Sequence, residues 1–199
     1  MSSRTITFVT GNVNKLKEVK QVLSKTSINF INQDIDLPEF QGTPEEVAKQ
    51  KCLEAAKYVK GPVMVEDTSL VFNALNGMPG VYIKWFLKAV QPEGLHKMLH
   101  GFDDKSGYSQ CIFAYTTPEM GDGNVELFRG TCDGKIVYPR GTKFGWDPIF
   151  EPNEQPANVE NSENFVKQTF AEMSSEHKNM ISHRSRALNG LKDYLEKLN

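Results

Sequence analysis

The residues best suited to chemistry lie where apolar runs stop. Glu66 and Asp67 stand side by side directly after Val63-Met64-Val65, and carboxylates at the C-terminal edge of a strand sit where α/β proteins bind ligands. Hard oxygen donors of this kind suit Mg²⁺, which takes one or two carboxylates and completes its shell with water and phosphate. Glu39, in the segment after the second strand-like run, could supply another ligand. A solvated turn is the alternative for all three. Thr10-Gly11-Asn12-Val13-Asn14-Lys15 follows a strand-like run and opens a helical pattern, a position that offers unpaired amides and the positive end of a helix dipole to phosphate. Lys15 adds charge there, although the spacing is not that of G-x-x-x-x-G-K-[ST], and Asn12 could simply cap the helix. Arg184, placed on a 3.6-residue wheel with Met180, Leu191 and Leu198, points into the middle of an apolar stripe, with His183 on its border. An arginine there needs an anion, either a protein carboxylate or a ligand. Phe144-Gly145-Trp146-Asp147 joins two rings and a carboxylate in one loop, which could stack on a purine or anchor a strand. Lys84, Trp85 and Phe86 carry the same double reading. His96 and His100, four apart with no third ligand near in sequence, read as surface or packing.

The elements that must position these residues follow from periodicity. Ile6–Val9 is strand-like, and Leu16, Val19, Val22 and Leu23 mark one face of a helix. Ile28–Ile31 predicts a second strand. Thr43-Pro44-Glu45-Glu46 has the form of a capping box with proline at the first helical position, and Gly61-Pro62 ends that helix. Val63–Val65 is a buried strand expected to stop at Glu66-Asp67. Further on, 81–87 and 94–99 look helical, and 108–115, 125–129 and 135–138 read as strands joined by turns that include Asp133-Gly134. Asn153–Gln168 lacks periodicity and reads as a mobile surface loop. One last helix is expected from about Ser175, with Met180, Ile181, Ala187, Leu188, Leu191, Tyr194, Leu195 and Leu198 on its apolar face. The expected fold class is α/β, a mixed, elongated central sheet flanked by helices, with two lobes and a cleft between them.

Composition narrows the function classes. The chain has 199 residues, 39% hydrophobic, with 23 Lys+Arg against 25 Asp+Glu, which suits one globular domain over 1–199 and excludes disorder. A formal charge of −2 argues against a nucleic-acid partner, which needs a basic face. No run of about 18 apolar residues appears, so no membrane partner is expected, and the N-terminal residues lack the apolar core of a secretory signal. Three widely spaced cysteines without C-x-x-C fit a reducing, cytoplasmic location, with nuclear presence compatible.

Taken together, the segments FVTGNVNKLKEV, IDLPEFQG, QKCLEAAKYVKGPVMVEDTSL, NGMPGVYIKWFL, FRGTCDGKIVYPRG, FGWDPIF and FAEMSSEHKNMISHRSRAL resemble the inosine triphosphate pyrophosphatase family from Phe8 to about Leu195. T-G-N-x-x-K, E-D-[ST], F-G-W-D and S-H-R in this order are specific as a set, and weak singly. The resemblance implies hydrolysis of ITP, dITP and XTP to the monophosphate and pyrophosphate with Mg²⁺, or Mn²⁺ in its place, by a homodimer. It makes Thr10, Gly11, Asn12 and Lys15 the phosphate loop, and Glu39 and Asp67 the metal-associated carboxylates. Asp67 matches the general base, and Glu66 and Lys15 are expected to be catalytic with it. Lys51, Thr68 and Lys84 become further nucleotide contacts, Phe144 the stacking ring with Gly145, Trp146 and Asp147 around it, and Lys178, His183 and Arg184 the base-reading group. Asn153–Gln168 departs from the pattern in being longer and more polar. The alternative function is a nucleotide-binding regulator without turnover.

Overall fold

A computed structural model describes residues 5–24, 28–142, 144–156 and 166–198. The element order is β1 (Thr5–Val9), α1 (Val13–Leu23), β2 (Asn29–Gln33), α2 (Pro44–Ala56), β3 (Val63–Phe72), β4 (Pro79–Gly80), α3 (Ile83–Lys97), β5 (Ser106–Thr116), β6 (Glu126–Ile136), β7 (Phe150–Pro152), α4 (Ser175–Ile181) and α5 (His183–Lys197). The seven strands form one sheet in the order β2-β1-β3-β5-β6-β7, with β4 paired onto β3. Pairing is parallel between β1 and both β2 and β3, and antiparallel for β3–β4 and β6–β7. The fold is therefore the mixed α/β class expected. No helix among the described residues is long and apolar enough to cross a membrane.

The chain divides into two compact units, one of residues 1–67, 111–130 and 184–199, the other of 68–110 and 131–183. In the first unit, strand alternation sorts the core onto two faces. Ile6 and Phe8 of β1, Met64 of β3 and Cys111, Phe113 and Tyr115 of β5 pack with α1 and α5 through Val19, Leu23, Ala187, Leu188 and Leu191. Val9, Val63, Val65, Ile112 and Ala114 take the other face, against Ala48, Cys52 and Ala55 of α2. The capping box forms as expected: Thr43 Oγ1 accepts from the Glu46 amide, and Glu46 accepts from the Thr43 amide. The second unit has its own core, from Leu70 and Phe72 of β3 through Ile83, Leu95 and Leu99 to Trp146, Phe150, Phe170 and Ile181.

Four local expectations are corrected. β3 does not end at Glu66-Asp67 but runs on to Phe72, because both carboxylates find cations. Asp133-Gly134 is no turn: β6 is continuous through it, and Gly134 is there for closeness, since a Cβ would lie 2.5 Å from the Glu151 carbonyl oxygen. The last helix is two, broken at Ser182 with extended backbone (ψ 152). Met180, on the far side of the break from Leu191, is therefore exposed rather than on the apolar face, and Leu198 is exposed too. Of Asn153–Gln168, residues 157–165 lie outside the described set. At its described ends Asn153, Glu154 and Val166 are exposed, whereas Gln155 is buried, donates to the Pro152 and Gln168 carbonyls at 2.8 and 3.1 Å, and accepts from the Gln168 amide at 3.0 Å. The helical stretches expected at 81–87 and 94–99 lie within α3 on either side of a break at Gln91 (φ 59, ψ 175), where Pro92 follows.

The three cysteines, Cys52, Cys111 and Cys132, are free and buried. Burial pushes the Cys52 thiol up to about 12 and, with Glu66 adding to it, raises Cys111 well above its ordinary value. Ellman's reagent at about pH 8, near the ordinary thiol pKa, should therefore find no reactive thiol in the folded protein and all three after guanidinium unfolding. A rapid stoichiometric reaction of the native protein would contradict this burial.

Candidate functional site

β3 carries adjacent carboxylates into the first unit's interior, and alternation sends them to opposite faces. Glu66 shares the face of Met64, toward α1 and α5. Its Oε2 accepts from Arg184 Nε at 3.1 Å, and its Oε1 from Arg184 Nη2 at 3.3 Å. This is the two-pronged geometry that a planar guanidinium fits best. Lys15 Nζ lies 3.3 Å from Glu66 Oε1, and Arg184 Nη1 also donates to Glu18, one turn beyond Lys15 on α1. The anion Arg184 needs is thus supplied by the protein. Burial alone would lower its pKa, but Glu66 and Glu18 outweigh that and hold the guanidinium above its ordinary value.

Asp67 shares the face of Val63 and Val65, toward α2. Its Oδ1 accepts from Lys51 Nζ at 2.8 Å, and the same ammonium lies 3.3 Å from Glu39 Oε2. Burial works against the Lys51 charge, but Asp67 and then Glu39 more than offset it, so its pKa is raised. Among the described residues no group of three or more His, Cys, Asp or Glu could hold a metal ion. Two oxygen donors converging on one cationic atom nevertheless fit Mg²⁺, which needs no complete protein cage.

The segment between β1 and α1 is locally determined. Asn12 caps α1, accepting from the Asn14 and Lys15 amides at 3.0 and 3.1 Å, and Thr10 Oγ1 accepts from the Asn12 amide. Two first-turn amides that could meet a phosphate are therefore held by the cap. At Gly11 a Cβ would lie 2.5 Å from Asp34 Oδ1, so only glycine passes there without displacing that side chain.

In the second unit, Lys178 of α4 and Asp147 form a buried pair at 2.7 Å. The ammonium lies 5.2 Å from the Phe144 ring centroid and 5.3 Å from that of Phe170, within range of cation–π attraction. Gly145 has φ +69, a left-handed conformation that glycine adopts without cost, and it turns the chain between Phe144 and Trp146. His183 is buried, stacked on Phe170 at 5.9 Å and tilted against Trp146 at 5.5 Å. Phe144 is 39% exposed and offers ring surface to a planar ligand. Lys84 stands over the Trp85 ring at 5.3 Å, and Thr68 is a partly buried residue of β3.

The sequence-derived residues thus gather in two groups. The first unit holds Thr10, Gly11, Asn12, Lys15, Glu39, Lys51, Glu66, Asp67 and Arg184; the second holds Thr68, Lys84, Phe144–Asp147, Lys178 and His183. Sequence reasoning missed Glu18 and Phe170. Glu18 had one signal, its place three residues after Lys15 on the same helix face; Phe170 had none.

A model of the Ham1 family matches residues 6–194. A HAM1 protein of Coxiella burnetii shares 29% identity over 98% of this chain and 99% of its own, with a TM-score of 0.80. The Staphylococcus aureus Ham1 protein shares 28% over 98% and 100%, with a TM-score of 0.76. A nucleoside-triphosphatase (dITP/XTP pyrophosphatase) of Mycobacterium abscessus shares 24% over 98% of both chains, with a TM-score of 0.65, a likeness of fold.

Removing one partner of a buried ion pair leaves an uncompensated charge and costs about 3–5 kcal/mol. Lys178→Met should lose stability on that scale in urea unfolding, and Lys178→Met/Asp147→Leu should regain much of it. A double variant no more stable than the single one would show that the stranded Asp147 charge is not the source.

Proposed function

The chain belongs to the Ham1 family, and from that premise we propose that it hydrolyses the non-standard purine nucleoside triphosphates ITP, dITP and XTP to the monophosphate and pyrophosphate. The observation that carries this reading is the convergence of Asp67 and Glu39 on one cation position, Lys51 Nζ. It unites a carboxylate able to take a proton, a second oxygen donor and a mobile positive charge. The M. abscessus protein of like fold, a dITP/XTP pyrophosphatase, supports the substrate class.

In this reading water attacks the α-phosphorus, its proton passes to Asp67, and pyrophosphate leaves. Lys51, at 2.8 Å, fixes where Asp67 stands before a metal takes its place. Glu39 and Asp67 would hold Mg²⁺ or Mn²⁺, which when bound supplies charge to the phosphates. Lys15 and Lys51 add positive charge, and electrostatic stabilisation of this kind is the main resource of phosphoryl-transfer enzymes. Phe144 stacks on the base. Lys178 reads it with His183 and with Arg184, which acts while held by Glu66 and Glu18. An ammonium donor suits the 6-oxo group of hypoxanthine or xanthine, whereas the 6-amino group of adenine would set donor against donor and leave buried polar groups unpaired. Clearing such nucleotides from the cytoplasmic pool is the role this reading implies, with a homodimer as the working assembly.

The purified protein with Mg²⁺ should convert ITP to IMP and pyrophosphate while leaving ATP nearly intact, with products resolved by ion exchange. IDP and orthophosphate would overturn the proposal. Loss of a general base costs about 10²–10⁴-fold, so Asp67→Asn should lower turnover on that scale and still bind ITP. Undiminished turnover would remove Asp67 from the mechanism.

A further inference from the structure

Lys51 occupies the place where its two neighbouring carboxylates converge. Glu39 comes from the segment ahead of α2 and Asp67 from β3, yet both are within 3.3 Å of the same Nζ atom. Without a cation between them, two like charges would face each other in a partly desolvated setting and move apart. The ammonium sits on a helix that cannot shift easily: α2 is fixed by its capping box and by buried Val47, Ala48, Cys52 and Ala55. Its flexible four-carbon stem can still move, and its side chain keeps 18% exposure, so the charged end has a way out toward solvent.

A divalent ion at these carboxylates needs the same oxygen lone pairs, and it repels an ammonium already there. Both cations cannot occupy the point together. We propose that Lys51 is the resident cation of this carboxylate pair: it holds Glu39 and Asp67 in their converged arrangement, and it must leave them when a divalent metal binds. This rests on the metal role given to Glu39 and Asp67 above. It makes Lys51 a positioning residue first, and a charge available to the substrate's phosphates once displaced. Metal binding and Lys51 release are then two sides of one coupling, and removing Lys51 removes the competitor.

The test is Mn²⁺ binding to the full chain without nucleotide, read from the electron paramagnetic resonance signal of free Mn²⁺. Lys51→Met should bind Mn²⁺ about tenfold more tightly than the wild type, within the range usual for coupled sites, while its ITP turnover falls. Lys51→Gln, which keeps hydrogen-bonding capacity and hence a second chance of a folded protein, should move the same way. Thermal melting confirms that the variants are folded. Lys15→Met, which removes a lysine bound to Glu66 instead, should leave Mn²⁺ affinity unchanged, and adding Asp67→Asn to Lys51→Met should abolish the gain. Lys51 variants that bind Mn²⁺ no more tightly than the wild type would overturn the proposal. So would an equal gain in Lys15→Met, which would mark a general charge effect. Wild-type ITP cleavage in the same preparation separates the two readings. Tightened Mn²⁺ without any cleavage leaves Lys51 in its role and defeats the enzymatic assignment, and cleavage without tightening does the reverse.

Discussion

Two adjacent carboxylates inside a sheet strand are the demand around which the first unit is arranged. Taking an ion out of water costs several kcal/mol even after relaxation, and Glu66 and Asp67 are both buried within β3. The strand pleat turns them to opposite faces, so no single cation can serve both. Lys15 and Arg184 reach Glu66 from α1 and α5, while Lys51 reaches Asp67 from α2. The helices on the two faces therefore bring the charges that let β3 continue to Phe72, as well as the apolar stripes that close the core.

The second unit solves a similar problem with different materials. Its buried ammonium, Lys178, pairs with the Asp147 carboxylate and has ring faces of Phe144 and Phe170 close by. The negative face of an aromatic ring stabilises a cation without bringing a second ionised group into the interior. A half-exposed ring over a buried charge also leaves one surface open to a flat, polar ligand, which a closed ion pair would not.

What could be read in the sequence depended on how far apart the interacting residues lie. Thr43 and Glu46 are three residues apart, and their capping box was legible in full. The wheel that set Arg184 in an apolar stripe found the right residue despite a wrong premise, since the helix breaks at Ser182 before it. Its partner was beyond reach, because Glu66 is 118 positions away and nothing local links the two. The end of β3 was misplaced for the same reason: a Glu-Asp pair looks like the start of a solvated turn until its cations are known. Gly134 reads as a turn residue in the sequence because a glycine's role in close packing against Glu151 and Phe150 leaves no local pattern. The family resemblance pointed to Lys51 as a nucleotide contact, but no spacing rule could show that it bridges Glu39 and Asp67.

The cations that meet these two neighbours in one strand differ in kind. Around Glu66, the named partners are two cations, Lys15 and Arg184, and one further anion, Glu18. The Glu66 oxygens are engaged there by a rigid planar guanidinium as well as by an ammonium. Around Asp67, one ammonium is shared by two carboxylates. Lys51 is also a flexible point charge rather than a planar fork, easier to displace than Arg184. On the proposal above, a divalent cation brought to this strand would take the Asp67 face, where a flexible ammonium is the group to displace, and not the Glu66 face, where a two-pronged guanidinium contact would have to break. The pleat of β3 thus sets one carboxylate against a planar fork and its neighbour against a flexible point charge.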